Sequence, residues 1–458
     1  MMTDKQGTVM PNTFAHSRVQ LSDLADSVIR LALQEGASDA QVVFNESTGL
    51  LIEMRQGRLK TRTRASQSSM FLTVYRGHHQ GTTRSTNYSP TSLRETVQAA
   101  CRIAGYTGED RFAGLAAEHY LCRKSDHLDL WHPWDIDEAS AAGLAQRIEA
   151  GIVSAGDGVV SDGVTVHSGL SDCFMMDSRG FTCSERQSNH LMGARALASK
   201  QGRSLLDFHF SSARQAQSLM IPEDIGHRAG CGALAALDTL PLQGSRRCPV
   251  LFDAKCALSL LEHLVQATSD SVVYRRNSFL ANRLGEDVFS HHVSVTEDPF
   301  APQGLASRSF DGDGVSGTTR QVVEQGALTG FFLSAYAARH LDRVPTGSGW
   351  GPGNLSLTSS LTQKGDDFAA MVKKLHSGLI VTHFSGGGPR LINGDYSRSL
   401  RGFWVEEGEI RYAVDGVTVA GNLGEMFRNI VAIGSDVTTQ GALTSGSVLI
   451  DHLQVAGR

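Results

Sequence analysis

Apolar positions along this chain change period repeatedly, and each change marks an element. Leu21, Leu24, Ala25, Val28, Ile29 and Ala32 recur at helical spacing, and Gly36 ends the run as a C-cap glycine would. Strand-like stretches follow: 50–54 turns at Gln56-Gly57 into 59–64, and 70–75 turns across 77–81 into 82–86. Ser89-Pro90 then reads as the N-cap and first-turn proline of a helix carrying Leu93, Val97, Ala100 and Ile103.

The same order comes round again. A helix over about 138–153 precedes strands at 173–176, 181–186, 191–198 and 204–210, with turns at Ser178-Arg179-Gly180 and Lys200-Gln201-Gly202, and a helix over 222–237. Helix, four strands, helix, twice over: residues 18–240 read as a duplicated α+β unit with repeats at about 18–110 and 135–240, after a flexible start over 1–17. Beyond Leu240-Pro241-Leu242-Gln243-Gly244 the pattern shifts. A strand at 248–252 leads into a helix with Ala257, Leu260, Leu261, Leu264 and Val265 on one face. From Val293 onward strands and glycine turns dominate, broken by helical stretches at 335–341, 366–375 and 424–428. The expected fold is α+β: a duplicated N-terminal helix and antiparallel-strand domain, then a mostly antiparallel β domain over 245–458.

Composition narrows the function classes. At 458 residues, two or three domains are expected. A net charge of −5 supplies no overall field for nucleic acid. One basic cluster (Arg55, Arg58, Lys60, Arg62, Arg64) alternates along a strand-like stretch and reads as a solvated sheet face. Seven scattered cysteines, with no C-x-x-C, suit reduced thiols in the cytoplasm. No apolar run approaches membrane-spanning length.

Most catalytic signatures fail. None of the 17 histidines is followed by glutamate, and no two lie three or four residues apart, so H-E-x-x-H is absent. Glu262-His263 could form a residual metal or acid/base pair, against the plainer reading of a helix histidine on an apolar face. Asp311-Gly312-Asp313-Gly314 begins like a calcium loop, but Ser316 and Val322 stand where Gly and a bidentate Glu are needed, which leaves a tight turn. The clusters Gly347-Ser348-Gly349-Trp350-Gly351 and Gly386-Gly387-Gly388 lack the endings of phosphate loops; they read as turns or as places where backbone approaches a bound peptide. There is no G-x-S-x-G elbow.

Several segments together resemble the PmbA/TldE branch of the TldD/PmbA (modulator of DNA gyrase) family. They are Gly36-Ala37-Ser38-Asp39-Ala40, Arg111-Phe112-Ala113-Gly114-Leu115, Ser271-Val272-Val273-Tyr274-Arg275, Ser334-Ala335-Tyr336-Ala337-Ala338-Arg339, Gly394-Asp395-Tyr396-Ser397 and Gly446-Ser447-Val448-Leu449. The resemblance implies a soluble complex in which such a chain pairs with a zinc-bearing TldD-type subunit and cleaves unstructured polypeptides, including microcin precursors and an antitoxin. The TldD branch carries H-E-x-x-x-H on the first helix of its C-terminal domain and a cysteine near the C-terminus. The matching helix here, 258–268, has Glu262 and His263 in the wrong order, and Thr444-Ser445-Gly446-Ser447 offers serine where a thiolate is wanted. The loops around Gly386–388 and Gly347–349 also depart from the family's usual sequences.

The expectation is therefore a non-catalytic subunit, binding no cofactor itself, with zinc in its TldD-type partner. Gly394, Asp395, Tyr396, Ser397, Gly387 and Gly388 are candidates for lining the peptide's path. The rival readings are a self-sufficient homodimeric metallopeptidase using Glu262 and His263, and a peptide-binding or gyrase-modulating adaptor with no peptidase partner.

Overall fold

The computed structural model describes residues 13–123 and 128–457. Of the start expected to be flexible, residues 1–12 lie outside the described residues; Phe14 is already buried, and His16 donates its backbone N–H to Glu46 at 3.1 Å.

Two units of like topology follow. The first is α1 (Arg18–Gln34), β1 (Asp39–Arg55), β2 (Arg58–Arg76), β3 (His79–Ser85) and α2 (Pro90–Tyr106). The second is α3 (Glu138–Ser154), β4 (Val159–Asp177), β5 (Thr182–Lys200), β6 (Arg203–Ala213) and α4 (Pro222–Ala235). Their strands form one antiparallel sheet in the order β3-β2-β1-β4-β5-β6, joined where β1 pairs with β4. One face of β1 shows why the helices settle where they do. Its Val42 and Phe44 pack under α1 and α2, while Ile52 and Met54 pack with residues of α3 and α4.

Each unit holds three strands rather than the four expected. The stretches 59–64 and 70–75 are one strand because the polar run between them stays in the ladder, Ala65 opposite Gly49 and Ser69 opposite Asn45. Gln187 and Asn189 bridge β5 in the same way, opposite Ser171 and Gly169. Neither run contains glycine or proline to break it, and polar side chains suit a strand whose face is wet.

The C-terminal part begins with β7 (Thr239–Leu240), β8 (Ser245–Phe252), α5 (Ala254–Thr268) and α6 (Asp270–Tyr274). Then come β9 (Val293–Asp298), β10 (Arg320–Glu324), β11 (Ala327–Leu328), α7 (Ala335–Leu341), β12 (Asn354–Ser359) and α8 (Phe368–Leu375). The chain ends with β13 (Gly378–Pro389), β14 (Asp395–Glu406), β15 (Glu409–Asn422), α9 (Leu423–Arg428), β16 (Ile430–Ile433), β17 (Thr438–Gln440), β18 (Leu443–Ser445) and β19 (Val448–Ala456). One sheet runs β11-β10-β9-β12-β18-β17 and the other β16-β19-β8-β13-β14-β15-β7. In the second, β19 also pairs with β15, so β19, β8, β13, β14 and β15 close into a barrel. Pairing is mostly antiparallel; β8 with β13, β12 with β18 and β7 with β15 are parallel. Helix α5 is buried along most of its length, as a helix apolar on most sides must be, and Asp253 caps it by accepting the Cys256 N–H at 2.7 Å.

A polar seam fastens the repeats to the C-terminal part. Arg339 of α7 donates to the carbonyls of Phe112 (2.6 Å), Gly114 (2.9 Å) and Leu115 (3.3 Å), and the Tyr336 hydroxyl donates to Asp110 at 2.6 Å. Asp311, fully buried, accepts backbone N–H groups from Asp313 (2.9 Å), Val315 (3.0 Å) and Gly349 (2.7 Å). Asp313 in turn accepts the Ala335 N–H at 2.8 Å. The Asp311–Gly314 run is thus a turn organised by its own first carboxylate, and the Gly347–Gly351 loop folds onto it.

Candidate functional site

A cleft of about 540 Å³ opens where β6 and α4 of the second repeat face α5, β13 and β14. Helix α5 lends it Lys255, Ser259 and Glu262, residues on one helical face. Strand β6 lends Asp207 and His209, and β13 lends His383. Strand β14 lends both Arg398 and Arg401, an odd spacing that would place them on opposite faces of a regular strand. A register shift between Leu400 and Arg401 brings both to the cleft.

The electrostatics follow from burial. His209 accepts from Lys255 Nζ through Nδ1 at 2.9 Å; burial first, then the Lys255 and Arg228 charges, push its pKa down to about 4. Burial likewise lifts Asp253 to about 6, against the stabilising N–H of Cys256. His383 faces Asp207 at 3.7 Å and is lowered by burial and by Arg401.

The two residues of the Glu262-His263 pair part company. Glu262 faces the cleft, whereas His263 turns into the core, only 5% exposed, with its ring edge-on to Tyr396 at 5.9 Å between centroids. Among the described residues neither ring nitrogen of His263 has a hydrogen-bond partner. Burial, and secondarily the Arg398 charge, push His263 down to about 4, so the ring is neutral at pH 7. Ser445 and Ser447 are buried, and Ser447 donates its hydroxyl to Asp436 at 2.9 Å. Among the described residues no group of three or more His, Cys, Asp or Glu side chains is close enough together to hold a metal ion.

The other candidates sit at one end of the β13–β14 hairpin. Gly394 (φ +81°) makes the corner: its N–H donates to Arg390 at 2.8 Å and its carbonyl accepts from Leu423 at 2.7 Å. Gly387 (φ +81°) lies so close to the neighbouring strand that a Cβ would stand 2.3 Å from the Ser397 carbonyl. Gly388 follows it beside the exposed Asp395 and Ser397, while Tyr396 points inward. None of these six lines the cleft, although Arg398 does, one residue beyond Ser397. Sequence reasoning missed Lys255, His209, Arg398 and Arg401 as a set. They come from separate elements, and only the bulge in β14 aligns the two arginines.

The same architecture occurs in known proteins. Sequence profiles of the PmbA/TldA metallopeptidase family match this chain three times: domain 1 over residues 40–104, the central domain over 131–237 and the C-terminal domain over 245–457. A protein named Metalloprotease PmbA from Escherichia coli O157:H7 is 34% identical over 430 residues, covering 93% of this chain and 94% of that protein. Among solved structures, a Bacteroides thetaiotaomicron protein described as a modulator of DNA gyrase superposes with a TM-score of 0.90 at 21% identity, over 96% of this chain and 99% of that one. TldE from Thermococcus kodakarensis superposes with a TM-score of 0.80 at 17% identity, over 95% of this chain and 100% of its own. At those identities the structures speak for the fold alone.

Proposed function

The chain belongs to the TldD/PmbA metallopeptidase family, and on that premise we propose that it is the PmbA/TldE-type, non-catalytic subunit of a zinc peptidase complex. The observation that carries this reading is the facing of α5: the helix that matches the zinc helix of TldD-type chains presents Lys255, Ser259 and Glu262 to the cleft and hides its one histidine. That is a poor donor set for zinc, which wants neutral imidazoles, thiolates or carboxylates converging from several directions. The serines at 445 and 447 add no anionic ligand. The zinc, on this reading, belongs to a TldD-type partner carrying H-E-x-x-x-H.

This chain's part is then to complete a closed chamber and to hold an unfolded peptide by main-chain pairing to strand edges, which needs little side-chain selectivity. Microcin precursors and an antitoxin are the substrates that the resemblance suggests. The complex works in the cytoplasm, in keeping with seven cysteines that are all free thiols. No helix among the described residues is long and apolar enough to cross a membrane.

Zinc content and peptide cleavage of the untagged chain, alone and mixed with a TldD-type subunit, test the proposal. Near-zero zinc, no cleavage alone and cleavage on mixing are expected. About one zinc per chain, with chelator-sensitive cleavage by the chain alone, would overturn it in favour of the self-sufficient homodimer and make His263 the first residue to mutate.

A further inference from the structure

The cleft gathers positive charge that its own walls leave unanswered. Arg228, Lys255, Arg398 and Arg401 line it, and among the described residues none of the four forms an ion pair. Three carboxylates line it too, but two are committed. Asp253 is the cap of α5, and Asp207 accepts the Phe208 N–H at 2.8 Å and faces His383. Among the described residues Glu262 is the one of the three without a partner. Arg401 is buried and Arg398 half-buried, and holding guanidinium groups away from bulk water without a counter-anion is costly, so such a cluster invites an anion.

The hydrogen-bond donors are set in advance as well. An ammonium has only hydrogens to offer, so at 2.9 Å from Lys255 Nζ the Nδ1 of His209 must be the acceptor. The neutral ring then carries its proton on Nε2, which is buried and has no partner among the described residues. His209 itself is 7% exposed and lines the cleft. The Nε of Arg398 is also buried and unpartnered, with its guanidinium held 3.7 Å above the ring of Phe384. Arg401 is anchored across the cleft by donating to the Leu206 carbonyl at 3.0 Å. These groups only donate, and they surround one space.

We propose that this cleft is a carboxylate-binding subsite, which takes a carboxylate of the extended peptide, either its free C-terminus or an acidic side chain. The inference rests on the reading that this chain holds peptide, and it adds what the peptide must offer. Paired, charge-assisted donors are the chemistry that recognises a carboxylate, and an amide in its place answers them with one neutral oxygen instead of two anionic ones.

The test is fluorescence anisotropy of the full chain with three peptides labelled at the N-terminus. They share one unstructured neutral sequence: the first ends in a free carboxylate, the second in an amide, and the third in an amide with one glutamate added. The neutral amide should bind at least about tenfold more weakly than the free acid, with the difference shrinking as salt rises. Tight binding of the third peptide assigns any carboxylate; weak binding of it assigns the C-terminus. Arg398→Gln should erase the difference and Arg398→Lys should keep part of it. The comparison of peptides on the unaltered chain stands even if a variant folds poorly. Equal binding of all three would overturn the subsite and leave the peptide-holding role intact. Binding of none, by the chain alone or mixed with a TldD-type subunit, would remove both.

Discussion

The seam at Asp311 and the cleft at Arg398 are built from the same residue types and differ in what is left over. At the seam the two central charges are answered from within: Asp311 takes three backbone N–H groups and Arg339 gives to three carbonyls. At the cleft, among the described residues, four cations lack an ion-pair partner, and His209 Nε2 and Arg398 Nε have no acceptor. Buried polar groups that satisfy one another specify a joint, while buried donors without acceptors mark a place where something else must supply them. The family-like segments around Phe112 and Ala335 accordingly turn out to grip each other as structure.

The sharpest way to break this contrast is at the seam. Asp311→Ala strands three buried N–H groups together and should cost about 3 kcal/mol or more, read as a fall in the thermal and urea midpoints. Midpoints close to those of the unaltered chain would mean that water can replace the carboxylate, and the seam would then be no more than a wet contact.

Acid exposes the other side of the comparison. His263 has a folded pKa of about 4 against an ordinary 6.5. Above pH 6.5 it is neutral folded or unfolded and contributes nothing. As pH falls from 6.5 towards 4 only the unfolded chain takes up the proton, so stability drains away, by about 2 kcal/mol at pH 5. Asp253, raised to about 6, and Asp311, also raised by burial, act in the opposite sense, since as pH falls the folded state takes up their protons before the unfolded chain does. The difference between the chain and His263→Phe isolates the histidine. The variant should be at least as stable at pH 7.5, having lost two unpartnered ring nitrogens, and should lose about 2 kcal/mol less on going to pH 5. Parallel losses in both proteins would show that His263 is protonated in the fold.

The contrast also explains what could be read ahead of the structure. The helix start at Ser89-Pro90 was legible because capping chemistry is local. The α+β class and the duplication were legible from element order. The full length of β2 and β5 was not, because Ala65–Ser69 and Gln187–Asn189 carry no apolar alternation to betray a strand. The Gly394–Ser397 run was legible as a motif, yet it folds as a hairpin corner whose tyrosine packs on His263. The cleft was illegible for a different reason: Lys255, His209, Arg398 and Arg401 are polar residues with no common spacing, and they meet only through tertiary packing and one β-bulge.

The smallest expected effect tests the cleft's donor set directly. Lys255 sits at the exposed start of α5, and its charge is the second cause, after burial, of the low pKa of His209. Lys255→Gln removes that charge and the ammonium that obliges Nδ1 to accept. Stability at pH 7 should change by no more than about 0.5 kcal/mol, as for other surface substitutions. The His209 pKa, followed by NMR of its ring protons, should nevertheless rise from about 4 towards the ordinary range without reaching it, because burial remains. An unmoved pKa would mean that Lys255 does not hold the ring, and the unpartnered Nε2–H would no longer be fixed as a donor. A large loss of stability would instead place Lys255 with Asp311 as a structural residue, erasing the difference between cleft and seam at that point.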